Sequence, residues 1–303
     1  MKILITGSTG LVGSALVSEL KHAGHTVCRL VRPSTNAGAM GESGGFDVAW
    51  NPATGELGGA AVGADAVVNL AGASIADGRW TAERKALLRS SRVDTTRALV
   101  GALARMAIRP RVLVSASATG YYGDRGEEIL TEESGPGRDF LSEIGKEWEA
   151  EAEKADSLGI RVVRARLGVI LAKNGGALPV MARPFRFGVG GRIGSGKQWM
   201  SWIALEDVAA ILRFALEKGE VRGAVNVVSA RPVRNAEFTA ALAKVLHRPA
   251  LFPAPAVALR LVLGEMADAL LLSSERVVPE RLKSLGYKFM QPDLAATLSN
   301  LLA

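Results

Sequence analysis

The chain has 303 residues, 48% of them apolar and 22% charged, with a net charge of +7, which is ordinary for a globular α/β protein. Its single cysteine, Cys28, lies in the strand-like segment HTVCRLVR, which predicts a buried, inert thiol and excludes a disulfide framework or a cysteine-based metal cluster. No uncharged apolar run reaches the roughly 18 residues of a membrane span, and no leader precedes the first strand, so we expect a cytoplasmic protein.

The positive charge is concentrated in the second half of the chain. Residues 1–150 carry −1 (16 basic minus 17 acidic residues), and residues 151–303 carry +8 (21 minus 13). No acidic residue lies between Asp156 and Glu206, where the basic residues are Arg161, Arg164, Arg166, Lys173, Arg183, Arg186, Arg192 and Lys197. Such a field can attract a small anionic ligand, or it can simply be a solvated surface. Nucleic acid is not expected, because no binding module accompanies the charge.

The first segments predict a strand, a helix and a second strand. KILIT (2–6) has the pattern of a buried strand, LVGSALVSELKHAG has apolar residues at helical spacing, and HTVCRLVR is again strand-like. Between the first strand and the helix, Gly7, Gly10 and Gly13 form G-x-x-G-x-x-G. In this context the first glycine allows a tight turn, the second admits a pyrophosphate, and the third lets helix pack on strand. The unit therefore predicts a dinucleotide site at the helix N-terminus.

The end of the second strand distinguishes between the two nicotinamide cofactors. An acidic residue there would bind the ribose 2′-hydroxyl of NAD, whereas an arginine accommodates the 2′-phosphate of NADP. The sequence RLVRPS supplies Arg32 and no acid, which predicts NADP, with NAD the less favoured cofactor. The alternative is that Arg32 is only an exposed residue at a strand end.

Strands and helices continue to alternate along the chain. Strands are predicted at DAVVNLAG, RVLVSASA and IRVVRARLGVIL, and helices at WTAERKALLRSSRVDTTRALVGALARM and after Phe140. This alternation predicts an α/β fold, a Rossmann-type doubly wound parallel sheet with a smaller C-terminal α/β substrate lobe. We assign residues 1–171 and about 206–230 to the NAD(P)-binding domain. The smaller lobe then comprises 172–205 and 231–303, and the ligand cleft lies between the two.

Two of these strands end in residues suited to a ligand at the carboxyl edge of the sheet. Small residues in NLAG (69–72) let the adenosine-ribose half of a cofactor lie against the backbone. SASATGYYGDRG brings Ser115, Ser117, Tyr121 and Tyr122 to the same edge. The alternatives are simple close packing for the first segment and an ordinary polar turn for the second.

These motifs resemble those of the extended short-chain dehydrogenase/reductase superfamily, whose members include sugar-nucleotide epimerases and dehydratases. The shared landmarks are the glycine loop, NLAG and SxSATxxYG, here residues 115–123 with Ser117 as its second serine. More narrowly, the chain resembles the atypical "epimerase family" branch, which belongs to the NAD-dependent epimerase/dehydratase superfamily and lacks the usual Tyr-x-x-x-Lys. The landmarks of that branch span nearly the whole chain and are SR-x-x-TT (91–96), YYG, DF…WE (139–149), GGxIGSGxQ (190–198) and a tail like PERLxxxGYxF.

The resemblance implies which residues form the site. The implied cofactor contacts are Gly7, Ser8, Thr9, Gly10, Leu11, Val12, Gly13, Arg32, Leu70, Ala71, Gly72, Arg92 and Ser115. Arg92 is expected to reach the phosphates from its helix. Ser117 matches the serine that positions the substrate, and Lys146 matches, within one position of register, the lysine that binds the nicotinamide ribose. The implied function is an NADP-binding oxidoreductase or epimerase that acts on a small, anionic metabolite or sugar nucleotide.

Two departures from the superfamily pattern concern the chemistry. The usual mechanism takes its proton donor from a tyrosine four residues before the lysine, but here Ser142 stands four residues before Lys146. Ala204 stands where relatives have histidine. Two alternatives follow for the function. Either Tyr121 or Tyr122 takes over the proton transfer, or the chain is a non-catalytic NADP-dependent binding protein, such as a redox sensor or a cell-division-associated factor.

Overall fold

The computed structural model describes residues 1–32 and 46–302. In these ranges the strands are β1 (Lys2–Thr6), β2 (Thr26–Val31), β3 (Phe46–Asn51), β4 (Glu56–Leu57), β5 (Ala66–Asn69), β6 (Val112–Ala118), β7 (Ile129–Leu130), β8 (Arg161–Leu167), β9 (Val169–Leu171), β10 (Trp199–Met200), β11 (Trp202–Ala204), β12 (Gly223–Val227), β13 (Val233–Arg234) and β14 (Arg276–Val277). The α-helices are α1 (Leu11–His22), α2 (Ala82–Ala104), α3 (Phe140–Glu153), α4 (Ala177–Arg186), α5 (Leu205–Glu217), α6 (Asn235–Val245), α7 (Ala256–Leu263), α8 (Glu265–Ala267), α9 (Glu280–Ser284) and α10 (Leu294–Leu302). Within the same ranges, none of the helices combines the length and the apolar character needed to cross a membrane.

Eight strands form one sheet in the order β12-β8-β6-β5-β1-β2-β3-β4. Neighbouring strands run parallel from β12 through β3, and the short β4 pairs antiparallel with β3. The chain builds outward from β1 to β3 on one side, then crosses back to build β5, β6, β8 and β12 on the other. The predicted doubly wound parallel sheet is therefore confirmed. Its order reverses between β1 and β5, the place where open α/β sheets bind ligands at the carboxyl ends of their strands.

Apolar side chains project from both faces of the central strands and are buried there, which explains why the sequences of these strands are unbroken apolar runs. On one face, Ile5 of β1 packs with helices α1 and α5. On the other face, Leu4 and Cys28 pack with helices α2 and α3. All three side chains are fully buried, so the predicted burial of the single thiol is confirmed. Burial on both faces fixes the register of the strands and hence the position of the residues that follow them.

A further apolar cluster lies beside the main sheet. It joins α4, α6 and α10 through Leu178, Phe238 and Leu298. The parallel pair β9–β11 links this cluster to the carboxyl edge of the sheet, because a single residue separates the end of β8 from the start of β9. The three helices lie in the segments assigned above to the smaller lobe, and the division into two domains stays a prediction.

Candidate functional site

The glycine loop joins β1 to α1, and its three glycines meet different surroundings. Gly7 has φ of +66°, and a Cβ there would lie 2.6 Å from the Leu70 carbonyl oxygen. A Cβ on Gly13 would lie 2.1 Å from the Gly7 carbonyl oxygen, so only glycine lets α1 pack against the turn. A Cβ on Gly10 would meet its nearest atom at 3.4 Å. The first and third glycines are therefore required by the protein's own backbone, whereas the second leaves space above the loop.

That space lies at the N-terminus of α1. Gly10 is the N-cap residue and supplies no side-chain hydrogen bond, and the first turn contains no acidic residue. The free N–H groups and the helix dipole therefore favour an anion at this point. Around the loop, Ser8 is buried, Thr9 and Gly10 are exposed, and Leu11 and Val12 are half-buried. This arrangement fits the pyrophosphate of a dinucleotide.

A buried hydrogen-bond network supports the neighbouring strand end. The Thr6 hydroxyl donates to Asn69 Oδ1 at 2.7 Å and accepts from the backbone N–H groups of Leu70 and Ala71. The Asn69 amide donates to Thr96 Oγ1 at 2.8 Å and to Ser115 Oγ at 3.3 Å. Ser115, predicted as a cofactor contact, is thus placed inside this network and is buried. The network holds the NLAG segment beside Gly7, at the point where the strand order reverses.

Arg92 is a half-buried cation beside this segment. Its guanidinium donates to the carbonyl oxygens of Leu88 at 3.1 Å and Ala73 at 3.0 Å, and within the described residues it forms no ion pair. A Cβ on Gly72 would lie 3.3 Å from Arg92 Cζ, so the charge lies directly under the exposed Gly72. Burial lowers the pKa of Arg92 to about 10, with a contribution from the positive charge of Arg84. The group stays charged at neutral pH and is suited to an anionic ligand.

Arg32, predicted to select NADP, follows β2 directly and is exposed. Since β2 is the neighbour of β1, this arginine lies at the carboxyl edge on the adenosine side of the glycine loop. The structure thus brings the glycine loop and the NLAG segment into contact, with Arg92 beneath them and Arg32 at the adjacent strand end.

Ser117, predicted to position a substrate, is buried and bonded to a charged network. Its hydroxyl donates to Glu149 Oε1 at 2.6 Å. Arg166 binds both oxygens of the same carboxylate at 2.8 Å, and Arg164 adds a contact at 3.1 Å. Burial by itself would lower the pKa of Arg166. The hydrogen bonds and the negative charge of Glu149 outweigh this effect, so the pKa of Arg166 lies above its usual value. The sequence placed Glu149 in the DF…WE motif and Arg166 in the basic run, and it did not predict that the two form an ion pair.

The two adjacent tyrosines differ in their surroundings. Tyr122 is fully buried, and its hydroxyl donates to Asn226 Oδ1 at 2.7 Å and accepts from Arg166 at 2.8 Å. Burial raises the pKa of Tyr122 to about 12. Tyr121 is half-buried, with its ring 3.7 Å from the Arg166 guanidinium, and burial raises its pKa as well. The proton-transfer role of these tyrosines stays a prediction.

Helix α3 presents other residues than Lys146 to the loop after β6. Ser142 is buried, and its hydroxyl donates to the Gly120 carbonyl at 3.1 Å. A Cβ on Gly145 would lie 3.3 Å from Tyr121 Cα, so Gly145 lets the loop approach the helix. Lys146 itself is exposed. These contacts do not involve Lys146, so its role at the nicotinamide ribose stays a prediction.

Seven of the eight basic residues in the run from β8 to α5 fall into two groups. Arg164 and Arg166 are bound to Glu149, and Arg161 donates to backbone carbonyls, so protein groups already bind all three guanidinium groups. The other group consists of Arg183, Arg186, Arg192 and Lys197, which are exposed and form no ion pair among the described residues. Their charge remains available to an anionic ligand.

A cavity of about 780 Å³ opens beside Tyr121, away from the glycine loop. Its lining includes Arg161 and Gly223, which are the first residues of β8 and β12. The lining also includes Arg166 near the end of β8 and Tyr121 after β6, so the cavity runs along the length of β8 and contains no residue of the glycine loop. We assign this cavity no part in cofactor binding.

The geometry of the glycine loop and its neighbours can be compared with known proteins. A model of the NAD dependent epimerase/dehydratase family matches residues 3–228. The chain belongs to this family. A second model, for a domain of unknown function (DUF1731), matches residues 254–301. Family membership confirms the predicted resemblance to the extended short-chain dehydrogenase/reductase superfamily and accounts for the Rossmann-type sheet.

Relatives of the same family match over almost their whole length. Epimerase family protein Mb2239 of Mycobacterium bovis is 42% identical over 95% of this chain and 93% of its own. Epimerase family protein YfhF of Bacillus subtilis is 38% identical over 100% of this chain and 98% of its own. Among solved structures, the chain is similar to human epimerase family protein SDR39U1, which was crystallised with NADPH. The two sequences are 33% identical, the match covers 99% of each chain, and the TM-score is 0.88. The narrower resemblance to the epimerase family branch is therefore confirmed too.

Proposed function

We propose that this chain binds NADP(H) and catalyses hydride transfer on a small, anionic metabolite or sugar nucleotide. The observation that carries the proposal is the open space at Gly10, over an α-helix N-terminus that no side chain caps. The human relative was solved with NADPH, which supports the same cofactor here. When bound, this cofactor supplies or accepts a hydride at its nicotinamide ring.

The chain's own residues would bind and orient the cofactor in three places. The first turn of α1 would hold the pyrophosphate, Arg32 the 2′-phosphate, and the NLAG segment the riboses. Arg92 would add a positive charge beneath Gly72. We place the substrate between the carboxyl edge of the sheet and the smaller lobe, where the exposed basic residues of the segment 183–200 would attract an anion.

Arg32 provides the first test, because it should determine the choice between cofactors. A hydrogen bond to a charged group contributes about 1.5–3 kcal/mol, or roughly tenfold or more in affinity. Titration by intrinsic fluorescence should therefore show tighter binding of NADPH than of NADH to the wild type, and equal binding to Arg32→Ala. Equal affinities in the wild type, or an unchanged preference in the variant, would refute NADP selectivity.

Arg92 provides a second test, which concerns its half-buried charge. Arg92→Met should weaken NADPH binding about tenfold, because one charge-assisted contact is lost. Arg89→Met is the matched control, since Arg89 lies on the same helix but pairs with Glu143 and Glu147 at the surface. Equal NADPH dissociation constants in the two variants would show that Arg92 is only a structural residue.

A non-catalytic NADP-dependent binding protein is the second candidate. The burial of Tyr122 and the raised pKa values of both tyrosines favour it, since neither tyrosine is poised to exchange a proton at neutral pH. Oxidation of NADPH in the presence of anionic aldehydes, ketones or sugar nucleotides distinguishes the two functions. Turnover supports the enzyme, and tight NADPH binding without turnover supports the binding protein.

A further inference from the structure

The cavity beside Tyr121 lies at one edge of the main sheet, because its lining includes Gly223 and Ala224 of the edge strand β12. Its volume of about 780 Å³ falls within the range of about 300–1,000 Å³ that is typical of small-molecule sites. The lining is rich in cations, since five of its sixteen residues are arginines, namely Arg161, Arg164, Arg166, Arg222 and Arg281. The cavity is therefore a candidate site for an anion, separate from the glycine loop.

Two of these guanidinium groups approach the same point at the start of β12. Gly223 has φ of +71°, and a Cβ there would lie 2.9 Å from Arg281 Nη1 and 3.7 Å from Arg164 Nη2. Glycine at this position therefore leaves a space that both arginines border. Arg222 directly precedes Gly223, is exposed and lines the same cavity. Three cations thus border one open part of the cavity.

Arg164 keeps one edge of its guanidinium group free. Its contacts to Glu149 and Glu153 are both made by Nη1, and its Nε is buried without a hydrogen-bond partner among the described residues. The Nε–Nη2 edge of an arginine can bind two oxygens of one anion. Arg29 uses this edge in the same chain, where it donates to both oxygens of Asp47 at 2.7 and 2.9 Å. In Arg164 the corresponding edge is available to a ligand.

Arg161 and Arg222 are cations that form no ion pair among the described residues. The Arg161 guanidinium donates to backbone carbonyl oxygens instead. Burial lowers the pKa of Arg161, and the positive charge of Arg222 adds to this effect, while the negative charge of Glu220 offsets it only in part. The two like charges therefore repel each other, and a bound anion would relieve this repulsion.

The acidic residues of the lining leave room for such an anion. The Glu132 carboxylate accepts the backbone N–H groups of Asn226 at 3.0 Å and Arg281 at 3.3 Å. Glu133 pairs with Arg281 at 3.0 Å, but its side chain is 84% exposed, and Asp156 is exposed as well. Because exposed ion pairs contribute little, a ligand can replace Glu133 at Arg281.

We propose that this cavity binds a phosphate monoester of a small, polar metabolite, with the phosphate group over Gly223. The free edge of Arg164 would bind two phosphate oxygens, and Arg222 and Arg281 would add positive charge. Guanidinium groups suit phosphate because their planar fork matches its oxygens. The proposal does not depend on hydride transfer, because the cavity contains no residue of the glycine loop.

The remainder of the lining indicates a hydroxylated metabolite. The Ser134 hydroxyl accepts the Thr131 N–H at 3.1 Å, which leaves its proton free for a ligand oxygen. Ser134 and Gly135 lie on the wall opposite no helix of their own and contribute small, polar surface. A sugar phosphate combines the phosphate group with hydroxyl groups of this kind, and glucose 6-phosphate is therefore the probe.

Amide NMR of the full chain locates the site. In a titration with glucose 6-phosphate, the N–H signals of Gly135 and Gly223 should shift at concentrations that leave the signal of Gly10 unchanged. Glucose, which lacks the phosphate group, should shift none of the three. Shifts that appear first at Gly10, or none at all, would overturn the proposal. Binding of inorganic phosphate with exclusion of glucose 6-phosphate would overturn the class of ligand.

Arg222→Gln tests the charge beside Gly223. It should weaken glucose 6-phosphate binding about tenfold, since one charge-assisted contact is lost. The melting temperature should not change, because Arg222 is exposed and forms no ion pair among the described residues. Arg248→Gln is the matched control, as Arg248 is also exposed but does not line the cavity. Equal affinities of the two variants for glucose 6-phosphate would overturn the proposal.

Glu133→Gln should have the opposite effect. It removes the negative charge that competes for Arg281, so glucose 6-phosphate should bind more tightly, by up to about fivefold for an exposed pair. Isothermal titration of both variants against the wild type measures these changes. An affinity of Glu133→Gln that is unchanged or weaker would overturn the placement of the phosphate beside Arg281.

Discussion

Replacing Gly10 by valine should abolish NADPH binding, with a loss of at least about 100-fold in affinity, and should leave the fold intact. The nearest atom to a Cβ at this position is the Gly7 carbonyl oxygen at 3.4 Å, so the backbone can stay where it is. The added methyl groups would instead fill the space over the first turn of α1, where N–H groups would meet the pyrophosphate. Losing two charge-assisted hydrogen bonds, at about 1.5–3 kcal/mol each, accounts for this magnitude.

The experiment compares NADPH titration with thermal unfolding for each variant. Gly59→Val is the matched control, because Gly59 is exposed, nothing lies within 4 Å of its Cβ position, and it is remote from the loop in the sequence. It should bind NADPH as the wild type does. Gly13→Ala should instead lower the thermal stability of the fold. Its Cβ would lie 2.1 Å from the Gly7 carbonyl oxygen and would disrupt the packing of α1. Normal NADPH binding by Gly10→Val would show that the phosphates bind elsewhere.

Replacing Arg166 by methionine should cost about 3 kcal/mol or more of unfolding free energy, as expected when one partner of a buried ion pair is removed. Arg166 and Glu149 are each about 97% buried at the side chain and are joined by two hydrogen bonds of 2.8 Å. The substitution leaves a buried carboxylate whose remaining contacts, among the residues that the structure describes, are those to Ser117 and Arg164. It also removes the donor to the Tyr122 hydroxyl.

Urea unfolding of the full chain measures this loss. Glu133→Gln is the control, because it breaks an ion pair with Arg281 in which the glutamate is 84% exposed. Exposed pairs contribute about 1 kcal/mol or less, so the control should unfold close to the wild-type midpoint. If Arg166→Met costs no more than this control, the contacts from Ser117 and Arg164 suffice to hold the carboxylate.

These contacts change how the missing tyrosine is understood. The sequence points to Tyr121 and Tyr122, because they follow a central strand at the ligand-binding edge. In the structure Tyr122 serves the buried network of Glu149 and Arg166, which also binds Ser117. Residues that are adjacent in a motif can therefore have different partners.

The fold and the cofactor loop could be predicted because their signals are local. Unbroken apolar runs identify strands buried on both faces, and the spacing of Gly7, Gly10 and Gly13 reflects contacts between residues at most six positions apart or in the adjacent strand end. The order of strands and helices then limits the topology to right-handed crossovers, which determines the edge where the loop lies.

The partners of the polar residues could not be predicted in this way. Ser117 binds a carboxylate 32 residues away, and Tyr122 binds an amide 104 residues away. The sequence by itself therefore determined the sheet, the glycine loop and the family. Only the tertiary structure decided which ionisable groups are buried together, because a pKa depends on the charges and the burial that folding brings to a side chain from distant segments.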